Sequence, residues 1–561
     1  MILYYLSSMI FMWISFFMFI MSMLMMLLKY SIYLEWNVIS LYSSSINMYV
    51  YIDWMTLMFM FIVLLISSMI LMYCNEYMSH DKNSIRFFYL IFLFIMSMLL
   101  MIISPNMISI IIGWDGLGLI SYLLVIYYNT YSSYNSGMLT VLMNRVGDVL
   151  ILMSIEMMLT YGSWNFMNFI NMNYLILIMV MIATFTKSAQ FPFSAWLPAA
   201  MAAPTPVSSL VHYSTLVTAG IYLLIRFQSL ISQNYYIMEY IKYTGMITML
   251  LAGISAIVEY DLKKIIAFPT LSQLGMMMVI YSMHQFELTF FHLIIHAIFK
   301  SMMFMCSGVI IHNMNNYQDI RMMGNVKNNM PLTFTIMMVA SFSLCGMPFL
   351  SGFYSKDMIL EYIFTNNFSL INKKMLMIST GLTIMYSSRL SSFLSNNINN
   401  SYPYKNCIDS MLMNNSMIIL LIMTLMFGYL MKWILFNNIE EIYLSQMEKL
   451  NIYMMCIISF FIGKFLWYMN LNYSNFMKFF FNKMWLSNFI TSNLIYYPLK
   501  FGYNFYYYYE QNYSQMMTKN MISLFSNKMF IKNYNNQHLL SLFSTISMLM
   551  LIMLMMMMMM I

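Results

Sequence analysis

The chain has 561 residues, of which 61% are hydrophobic and only 8% are charged. Soluble domains use about one-quarter charged residues, so this composition excludes a soluble globular protein and indicates apolar surfaces that face lipid or other buried helices. The formal net charge of +7 comes with no basic run or groove-reading motif, so nucleic acid is not expected as a partner.

Residue usage indicates where the chain is encoded. Methionine occurs 75 times, Phe, Tyr, Ile and Asn are abundant, and the chain ends in a methionine run at 555–560. These residues belong to A/T-rich codons, and Met in place of Ile suggests a code that reads AUA as Met. Met is also a flexible apolar filler in any membrane helix, but that does not explain the terminal run. We expect a mitochondrially encoded protein of the inner membrane.

Five single cysteines are scattered along the chain without a CxxC, ferredoxin-type or zinc spacing. No iron–sulfur cluster or metal is therefore expected in this chain.

Hydropathy predicts an all-α polytopic membrane protein with about 14–16 transmembrane helices. The first apolar run lacks the positive n-region and cleavage site of a signal peptide and is predicted to be a span. Segments 29–52 and 75–86 are predicted to be connections. The predicted spans are 5–28, 52–73, 86–104, 106–128, 137–160, 174–191, 207–227, 243–259, 265–283, 288–312, 332–350, 354–365, 375–397, 413–435, 452–470 and 539–561.

Asp115 lies in the segment GWDGLGLISY, among apolar neighbours and three glycines. The glycines are predicted to allow close helix packing in lipid. A carboxylate at mid-span needs a cationic partner, and Lys187 is the candidate. In the next span, Arg145 and Asp148 stand at i,i+3 and are expected to pair on one helix face, in a structural or a functional role.

The segment from Ala183 to Phe227 contains Lys187, then four prolines, then His212 inside the next apolar run. Proline cannot continue a helix, so a membrane helix is predicted to break and restart here. An ionisable group beside broken backbone at membrane depth indicates an ion or proton site. The alternative is that Lys187 extends from a span end towards the headgroups.

Three ionisable residues follow one face of a later span. His292, His296 and Lys300 in FHLIIHAIFK stand at i, i+4 and i+8. A metal site lacks its further ligands. A proton wire fits better, since histidine titrates near neutral pH; polar contacts between helices are the remaining alternative. The earlier segment DLKKIIAFPTLSQLG is interpreted as a charged turn or the mouth of a half-channel.

A second interrupted segment, SLCGMPFLSGFYSKDMILE, carries Lys356, Asp357 and Glu361. This arrangement would suit an exit site with water access, and Arg389 is a candidate partner for one of the acids. Two broken segments in the two halves of a membrane protein predict an internal inverted repeat.

The tail at 471–538 is too polar to span throughout, yet it is rich in Phe, Tyr and Met with spaced lysines. It is predicted to be a lateral amphipathic helix that lies along the membrane or along neighbouring subunits, with a partly ordered loop as the alternative. A final span follows at 539–561.

The segments TKSAQFPFSAWLPAAMAAPTPVSSLVH, DLKKIIAFPTLSQLG, FHLIIHAIFKS and SGFYSKD resemble, in this order, the signature segments of the antiporter-like subunits of respiratory complex I. A long tail with a final span is found in one of these subunits and is absent from its relatives. The resemblance implies two inverted five-helix repeats with discontinuous helices that carry Lys187 and Lys356. It also implies proton-path roles for Asp115, Asp148, Lys187, His212, His292, His296, Lys300, Lys356 and Asp357.

Pro269 departs from the family pattern and is expected to shift the start of its helix. The predicted divisions are N-terminal helices at 1–105, a first repeat at 106–260, a second repeat at 261–400, C-terminal helices at 401–470, the lateral helix with its connections at 471–538 and the anchor at 539–561.

The resemblance implies a membrane-arm subunit that translocates protons while NADH, FMN, iron–sulfur clusters and ubiquinone react in other subunits. Implied partners are neighbouring antiporter-like subunits and lipids such as cardiolipin. Two alternatives stay open: a subunit of a multi-subunit Na⁺/H⁺ antiporter of the same fold, and a structural scaffold whose polar residues only join helices.

Overall fold

The computed structural model describes residues 2–41, 44–169, 171–365, 369–396, 410–436, 444–468, 480–481, 484–485, 487–513, 523, 547–548 and 550, without the side chains of residues 41, 44, 211–214 and 487–495. The chain divides into two compact units, Met1–Asn488 and Phe489–Ile561.

Helices dominate the first unit, as predicted. They are α1 Ile2–Leu28, α2 Trp54–Tyr77, α3 Ser84–Ile103, α4 Met107–Val125, α5 Tyr131–Met158, α6 Tyr174–Lys187, α7 Trp196–Ala199, α8 Thr205–Val207, α9 Leu216–Arg226, α10 Gln228–Ile231, α11 Tyr235–Val258, α12 Leu262–Tyr281, α13 Phe286–Asn313, α14 Val326–Asn329, α15 Pro331–Cys345, α16 Ser351–Thr365, α17 Leu370–Ser395, α18 Met411–Leu435 and α19 Gln446–Tyr468. Within the described residues, 10 helices are long and apolar enough to cross a membrane.

Residues 29–52 connect α1 to α2, as predicted, and most of this connection is folded. Strands β1 (Ile32–Leu41) and β2 (Ser44–Ile52) form an antiparallel hairpin. Their β-branched and aromatic residues favour the extended backbone, and hydropathy alone does not detect a hairpin outside a span. Asn106 Nδ2 donates to the Asn47 carbonyl at 2.8 Å, which fixes the hairpin against the start of α4.

The core lies around α13, in which every residue from Leu288 to Ile311 is buried. α13 contacts α2, α12, α15, α16 and α18. In contrast, α1, α18 and α19 expose large apolar side chains along one side. This distribution suits a membrane protein, because lipid solvates the outer helices while the inner helices pack on one another.

Asp53 ties the start of α2 to the end of α9. Its side chain caps Thr56 in a capping box and also accepts two hydrogen bonds from Arg226, at 2.7 and 2.8 Å. Bidentate Arg–carboxylate pairs combine strength with a fixed geometry. This pair therefore fixes the two helix ends against each other, although the two residues are 173 positions apart in the sequence.

Both predicted helix interruptions are present. α6 ends at Lys187, and the proline-rich segment that follows consists of short helical pieces before a π-helix at Ser208–Thr215 and then α9. In the second interruption, α15 ends at Gly346, whose φ of 81° suits glycine. α16 restarts at Ser351 and carries Lys356.

Pro269 lies inside α12, which begins at Leu262. The expectation that this proline shifts the start of the helix stays a prediction. The first turn is held from outside the helix, since the Leu262 amide donates to the Gln318 carbonyl at 2.8 Å.

The second unit begins within the tail. A helix at Ser487–Phe505 continues as a π-helix at Tyr506–Tyr513, and the described side chains of this stretch are exposed. This helix lies within the segment predicted to be the lateral helix, and its lateral position stays a prediction. Most other residues of that segment and of the final span at 539–561 lie outside the described residues.

Candidate functional site

Lys187 ends α6 inside the protein, with no exposed surface. Its Nζ donates to the Trp114 carbonyl at 3.2 Å and lies 5.1 Å from the centre of the Trp114 ring. The carbonyl and the ring face both stabilise a cation. The structure therefore places Lys187 at an internal site, against the alternative that it extends to the headgroups.

Gly118 makes room for this ammonium. A Cβ at Gly118 would lie 3.3 Å from Lys187 Nζ, whereas one at Gly113 would lie 2.7 Å from the backbone of Met101. The predicted packing role of these glycines is confirmed, and Gly118 in addition borders the charge.

The predicted Asp115–Lys187 ion pair is wrong. Within the described chain, the cation within 4.0 Å of Asp115 is Arg145, at 3.8 Å. Asp115 lies on the partly exposed side of α4, where Arg145 of α5 reaches it, while Lys187 points at Trp114. Arg145 also lies 3.5 Å from Asp148, so the predicted i,i+3 pair is present. One guanidinium thus connects a half-exposed carboxylate with the buried Asp148.

Polar side chains follow Lys187 into the core. Gln190 accepts a hydrogen bond from Thr248 of α11 at 2.7 Å, and both residues are buried. His212 lies in the π-helix Ser208–Thr215, but its side chain is outside the described part, so its predicted role stays a prediction.

His292 connects three helices. One ring nitrogen is 2.9 Å from Ser355 Oγ on α16, and the other is 3.1 Å from Gln273 Oε1 on α12. Its ring centre lies 6.3 Å from that of His296. His292 is therefore one helix turn from His296, and it contacts Ser355, the residue that precedes Lys356.

His296 and Lys300 have a different environment. Both are fully buried, and among the described groups neither ring nitrogen of His296 nor Lys300 Nζ has a hydrogen-bond partner. An unpaired buried ammonium is costly, so this point of the core carries the least compensated charge. A merely structural lysine would be expected to contact an acceptor.

Lys356 lies at the second interruption, with its Nζ 3.0 Å from Thr383 Oγ1 and 3.3 Å from the Leu344 carbonyl. The next residue, Asp357, is partly buried and lines a cavity of about 300 Å³ together with Glu361 of the same helix and Lys432 and Lys449 of α18 and α19. The acidic pair predicted as an exit site therefore borders open space.

Other charged residues bind backbone. Arg389, predicted as a partner for Asp357 or Glu361, donates instead to the Glu259 carbonyl at 3.1 Å and lies 4.7 Å from the Tyr260 ring. Lys263 is buried and donates to the Ala203 carbonyl at 2.9 Å. It belongs to the polar core, whereas its neighbour Lys264 pairs with Asp261 at 2.7 Å near the surface.

Sequence reasoning missed the neutral polar residues of this core. All of them are buried: Gln273 and Ser355 contact His292, Thr383 contacts Lys356, and Gln190 and Thr248 are hydrogen-bonded to each other. The signal was present, because glutamine is rare in apolar helices, but only the fold shows which of these side chains meet.

No cluster of three or more His, Cys, Asp or Glu suited to a metal ion is found within the described residues. Within them, Cys74, Cys306, Cys345 and Cys456 are free thiols.

Two interrupted helices with a buried lysine at each break, and buried polar residues on the helices between them, are typical of an antiporter-like membrane protein. Family models agree. One described as NADH:quinone oxidoreductase/Mrp antiporter, TM, matches residues 104–385. Others, for the N-terminus of complex I chain 5 and the C-terminus of NADH dehydrogenase subunit 5, match residues 36–88 and 386–560.

Individual relatives identify one subunit within this broader class. The NADH-ubiquinone oxidoreductase chain 5 of Anopheles gambiae is 46% identical over 525 residues, covering 91% of this chain and 90% of the relative. That of Aedes aegypti is 45% identical over 552 residues, covering 95% and 94%. This chain belongs to the NADH-ubiquinone oxidoreductase chain 5 family.

A solved structure of the Mrp complex from Dietzia sp. contains a chain with the same fold. The TM-score is 0.72 at 21% identity, over 89% of this chain and 57% of that one. This chain thus spans little more than half of that chain, and the likeness shows the fold alone.

Proposed function

We propose that this chain translocates protons in the membrane arm of respiratory complex I, in the mitochondrial inner membrane, and that electron transfer from NADH to ubiquinone in other subunits drives it. The observation that carries the proposal is the placement of His292, which bridges Gln273 of α12 and Ser355 of α16 beside Lys356. A titratable group held between α12 and the second interrupted segment suits proton transfer better than helix packing alone.

The proposed path begins at the first interruption. Asp115, Arg145 and Asp148 form a chain of charges near Lys187, and a change in their pairing alters how well the Lys187 ammonium is stabilised. Because Arg145 lies within 4.0 Å of both carboxylates, the switch is a guanidinium shared by two acids. This replaces a direct Asp115–Lys187 pair in the proposal.

The middle of the path runs from Lys187 past His212 to His292, His296 and Lys300. Lys300 and His296 find no partner among the described protein groups, so we assign them a proton-carrying rather than a helix-joining role. Lys356 and Asp357 then deliver the proton to the cavity that Asp357 borders.

The energy scale is compatible with this scheme. A proton moved against about 150 mV gains about 3.5 kcal/mol. Removing one partner of a buried ion pair costs about 3–5 kcal/mol. A rearrangement of the buried charges can therefore supply the work of one transfer.

We assign no redox centre to this chain; NADH, FMN, iron–sulfur clusters and ubiquinone belong to other subunits in this proposal. Its partners are the neighbouring antiporter-like subunits, along the tail, and membrane lipids including cardiolipin. The predicted division into repeats at 106–260 and 261–400 is part of the same proposal. The 46% identity to chain 5 proteins favours complex I over a Na⁺/H⁺ antiporter, for which the likeness extends to the fold only.

The test compares Lys187→Met and Lys300→Met in the intact complex, reconstituted into vesicles. The ratio of protons pumped to NADH oxidised is expected to fall in both variants, because methionine keeps the volume and cannot carry a proton. The matched control is Lys374→Met, since Lys374 is exposed on α17.

Correct assembly is checked by the migration of the intact complex on native gels and by the presence of this chain in that band. An unchanged pumping ratio in assembled Lys187→Met and Lys300→Met complexes would refute the proposed roles and favour the scaffold alternative.

A further inference from the structure

Two cavities adjoin beside the second interruption. The larger, of about 420 Å³, lies between α15, α16, α17 and α19, and the smaller, of about 300 Å³, lies between α16, α18 and α19. They share the lining residues Phe353, Asp357, Ile452 and Tyr453. The two cavities therefore meet at these four side chains and are the larger and smaller parts of one candidate site.

The larger part is mostly apolar. Met377 and Gly381 of α17 and Phe460 of α19 line it, and Ile457 and Phe461 at its rim are 52% and 63% exposed. In a membrane, this rim faces lipid acyl chains. The volume falls within the range of about 300–1,000 Å³ that is typical of ligand pockets.

The smaller part carries two carboxylates, Asp357 and Glu361, and two ammonium groups, Lys432 and Lys449. Their formal charges sum to zero. Within the described part of the chain, none of the ion pairs closer than 4.0 Å joins these four groups. The charges surround a cavity instead of neutralising one another in contact, which leaves both signs available to a ligand.

The two parts lie at different depths. Glu361 is one turn from the end of α16, Lys432 is in the last turn of α18, and Lys449 is in the first turn of α19. The polar part is thus at helix ends, near one membrane face. The apolar part extends along α17 and α19 towards their middles.

We propose that this site binds one zwitterionic phospholipid. Lys432 and Lys449 bind its phosphate, Asp357 and Glu361 bind its ammonium group, and one acyl chain occupies the apolar part. Aromatic residues Tyr354 and Tyr453 also line the polar part, and aromatic rings stabilise a bound ammonium. An anionic lipid without an amine, such as phosphatidylglycerol, offers no positive group for the two carboxylates, so it is disfavoured at this site.

The test uses the intact complex in lipid nanodiscs with phospholipids that carry a photoreactive group in one acyl chain. Phosphatidylethanolamine and phosphatidylcholine probes are expected to label peptides of α17 and α19 that line the larger part. A phosphatidylglycerol probe is expected to label them about tenfold less, a difference of about 1.4 kcal/mol. The two zwitterionic probes also distinguish a primary from a quaternary ammonium group.

Two kinds of variant locate the two parts of the ligand. Lys432→Gln combined with Lys449→Gln is expected to lower labelling about tenfold, because it removes two charge-assisted contacts to phosphate. The matched control, Lys464→Gln on the same helix α19, is expected to leave labelling unchanged, since Lys464 lies outside this site.

Gly381→Leu tests the acyl-chain part independently of the lysines. Gly381→Ala is tolerated, because a Cβ there would lie 3.7 Å from Ser459 and 3.9 Å from Met455, which is ordinary contact. The leucine fills the cavity and is expected to abolish labelling, while the alanine retains it.

Three results would overturn the proposal. They are equal or stronger labelling by phosphatidylglycerol, labelling that survives both Gly381→Leu and the double lysine variant, and absence of labelling together with a chemical cross-link from the site to residues 489–561. The last result would mean that this chain's own tail occupies the site. Assembly of each variant is checked by the presence of this chain in the intact complex on native gels.

Discussion

The lysines at the two helix interruptions differ from the lysine of the uninterrupted helix between them. Lys187 and Lys356 each donate a hydrogen bond to a backbone carbonyl of another helix, Lys187 to Trp114 within α4 and Lys356 to Leu344 in the last turn of α15. Lys300 lies in the middle of α13, and no described protein group is its hydrogen-bond partner. The lysines at the interruptions therefore reach acceptors outside their own helix segments, and the lysine of the intact helix does not.

This difference suggests separate roles. A lysine with fixed acceptors holds its proton in a defined place, as expected at the two ends of a path. A lysine without them is held less strongly and suits a transient position in the middle. The contrast between lysines with and without a hydrogen-bond acceptor can be tested by substitution.

The largest effect is expected on stability, with opposite signs for two similar substitutions. Lys300→Met removes an uncompensated buried charge and is expected to stabilise the chain by about 1–3 kcal/mol. Lys187→Met loses the hydrogen bond to the Trp114 carbonyl and the contact with its ring, so it is expected to destabilise the chain by about 1–2 kcal/mol.

The measurement for this pair is the temperature at which the chain is lost from the purified complex on native gels. A similar loss of stability in both variants would contradict the contrast between lysines with and without a hydrogen-bond acceptor.

A smaller effect is expected from crowding the first lysine. Gly118→Ala places a Cβ 3.3 Å from Lys187 Nζ and displaces the ammonium from its acceptor. Misplacing a reacting group by a fraction of an ångström is expected to lower the pumping ratio about threefold to tenfold. The vesicle assay measures this ratio.

Gly116→Ala is the matched control for that variant. It lies on the same helix, and its Cβ would be 3.1 Å from Ser97 and not beside a lysine. Equal losses of pumping in both variants would mean that general crowding of α4, and not displacement of Lys187, causes the effect.

Ser355 supports the second break by holding His292. Ser355→Ala removes the hydroxyl 2.9 Å from the ring nitrogen, at a cost of about 1 kcal/mol, and is expected to lower pumping about fivefold. Ser379→Ala is the control, because that buried hydroxyl donates to the carbonyl of Leu376 in its own helix. If both variants pump alike, His292 needs no fixed orientation.

The smallest effect concerns a surface pair far from the lysines. Burial by itself would raise the pKa of Asp319, but hydrogen bonds from Arg321 hold this pKa below its ordinary value. A lowered folded-state pKa contributes stability above the unfolded-state pKa, about 3.9, and that contribution is lost as pH falls through the folded-state pKa.

Asp319→Asn is therefore expected to destabilise the chain by less than about 1 kcal/mol at pH 7, with a difference that shrinks below about pH 4. Native-gel thermal stability at several pH values measures it. A loss larger than that of Lys187→Met would show that this loop, which meets α12 through the Tyr260–Ile320 hydrogen bond, governs stability more than the polar core.

The sequence by itself determined the spans, the two breaks and the residues worth testing. Apolar runs of about 20 residues predict helices because lipid cannot satisfy free backbone groups. Four prolines between positions 192 and 206 mark the first interruption, because proline cannot continue a helix, and Gly346 marks the second, because glycine readily ends one. The i,i+4 spacing likewise placed His292 and His296 on one helix face.

Only the tertiary structure decided which charges meet. Asp115 was expected to pair with Lys187, but α5 brings Arg145 within 3.8 Å of it, and Lys187 points at Trp114. Gln273 and Ser355 became partners of His292 because α12 and α16 pack on either side of it. Helix periodicity fixes which residues share a face, whereas contacts between residues tens or hundreds of positions apart depend on how the helices pack.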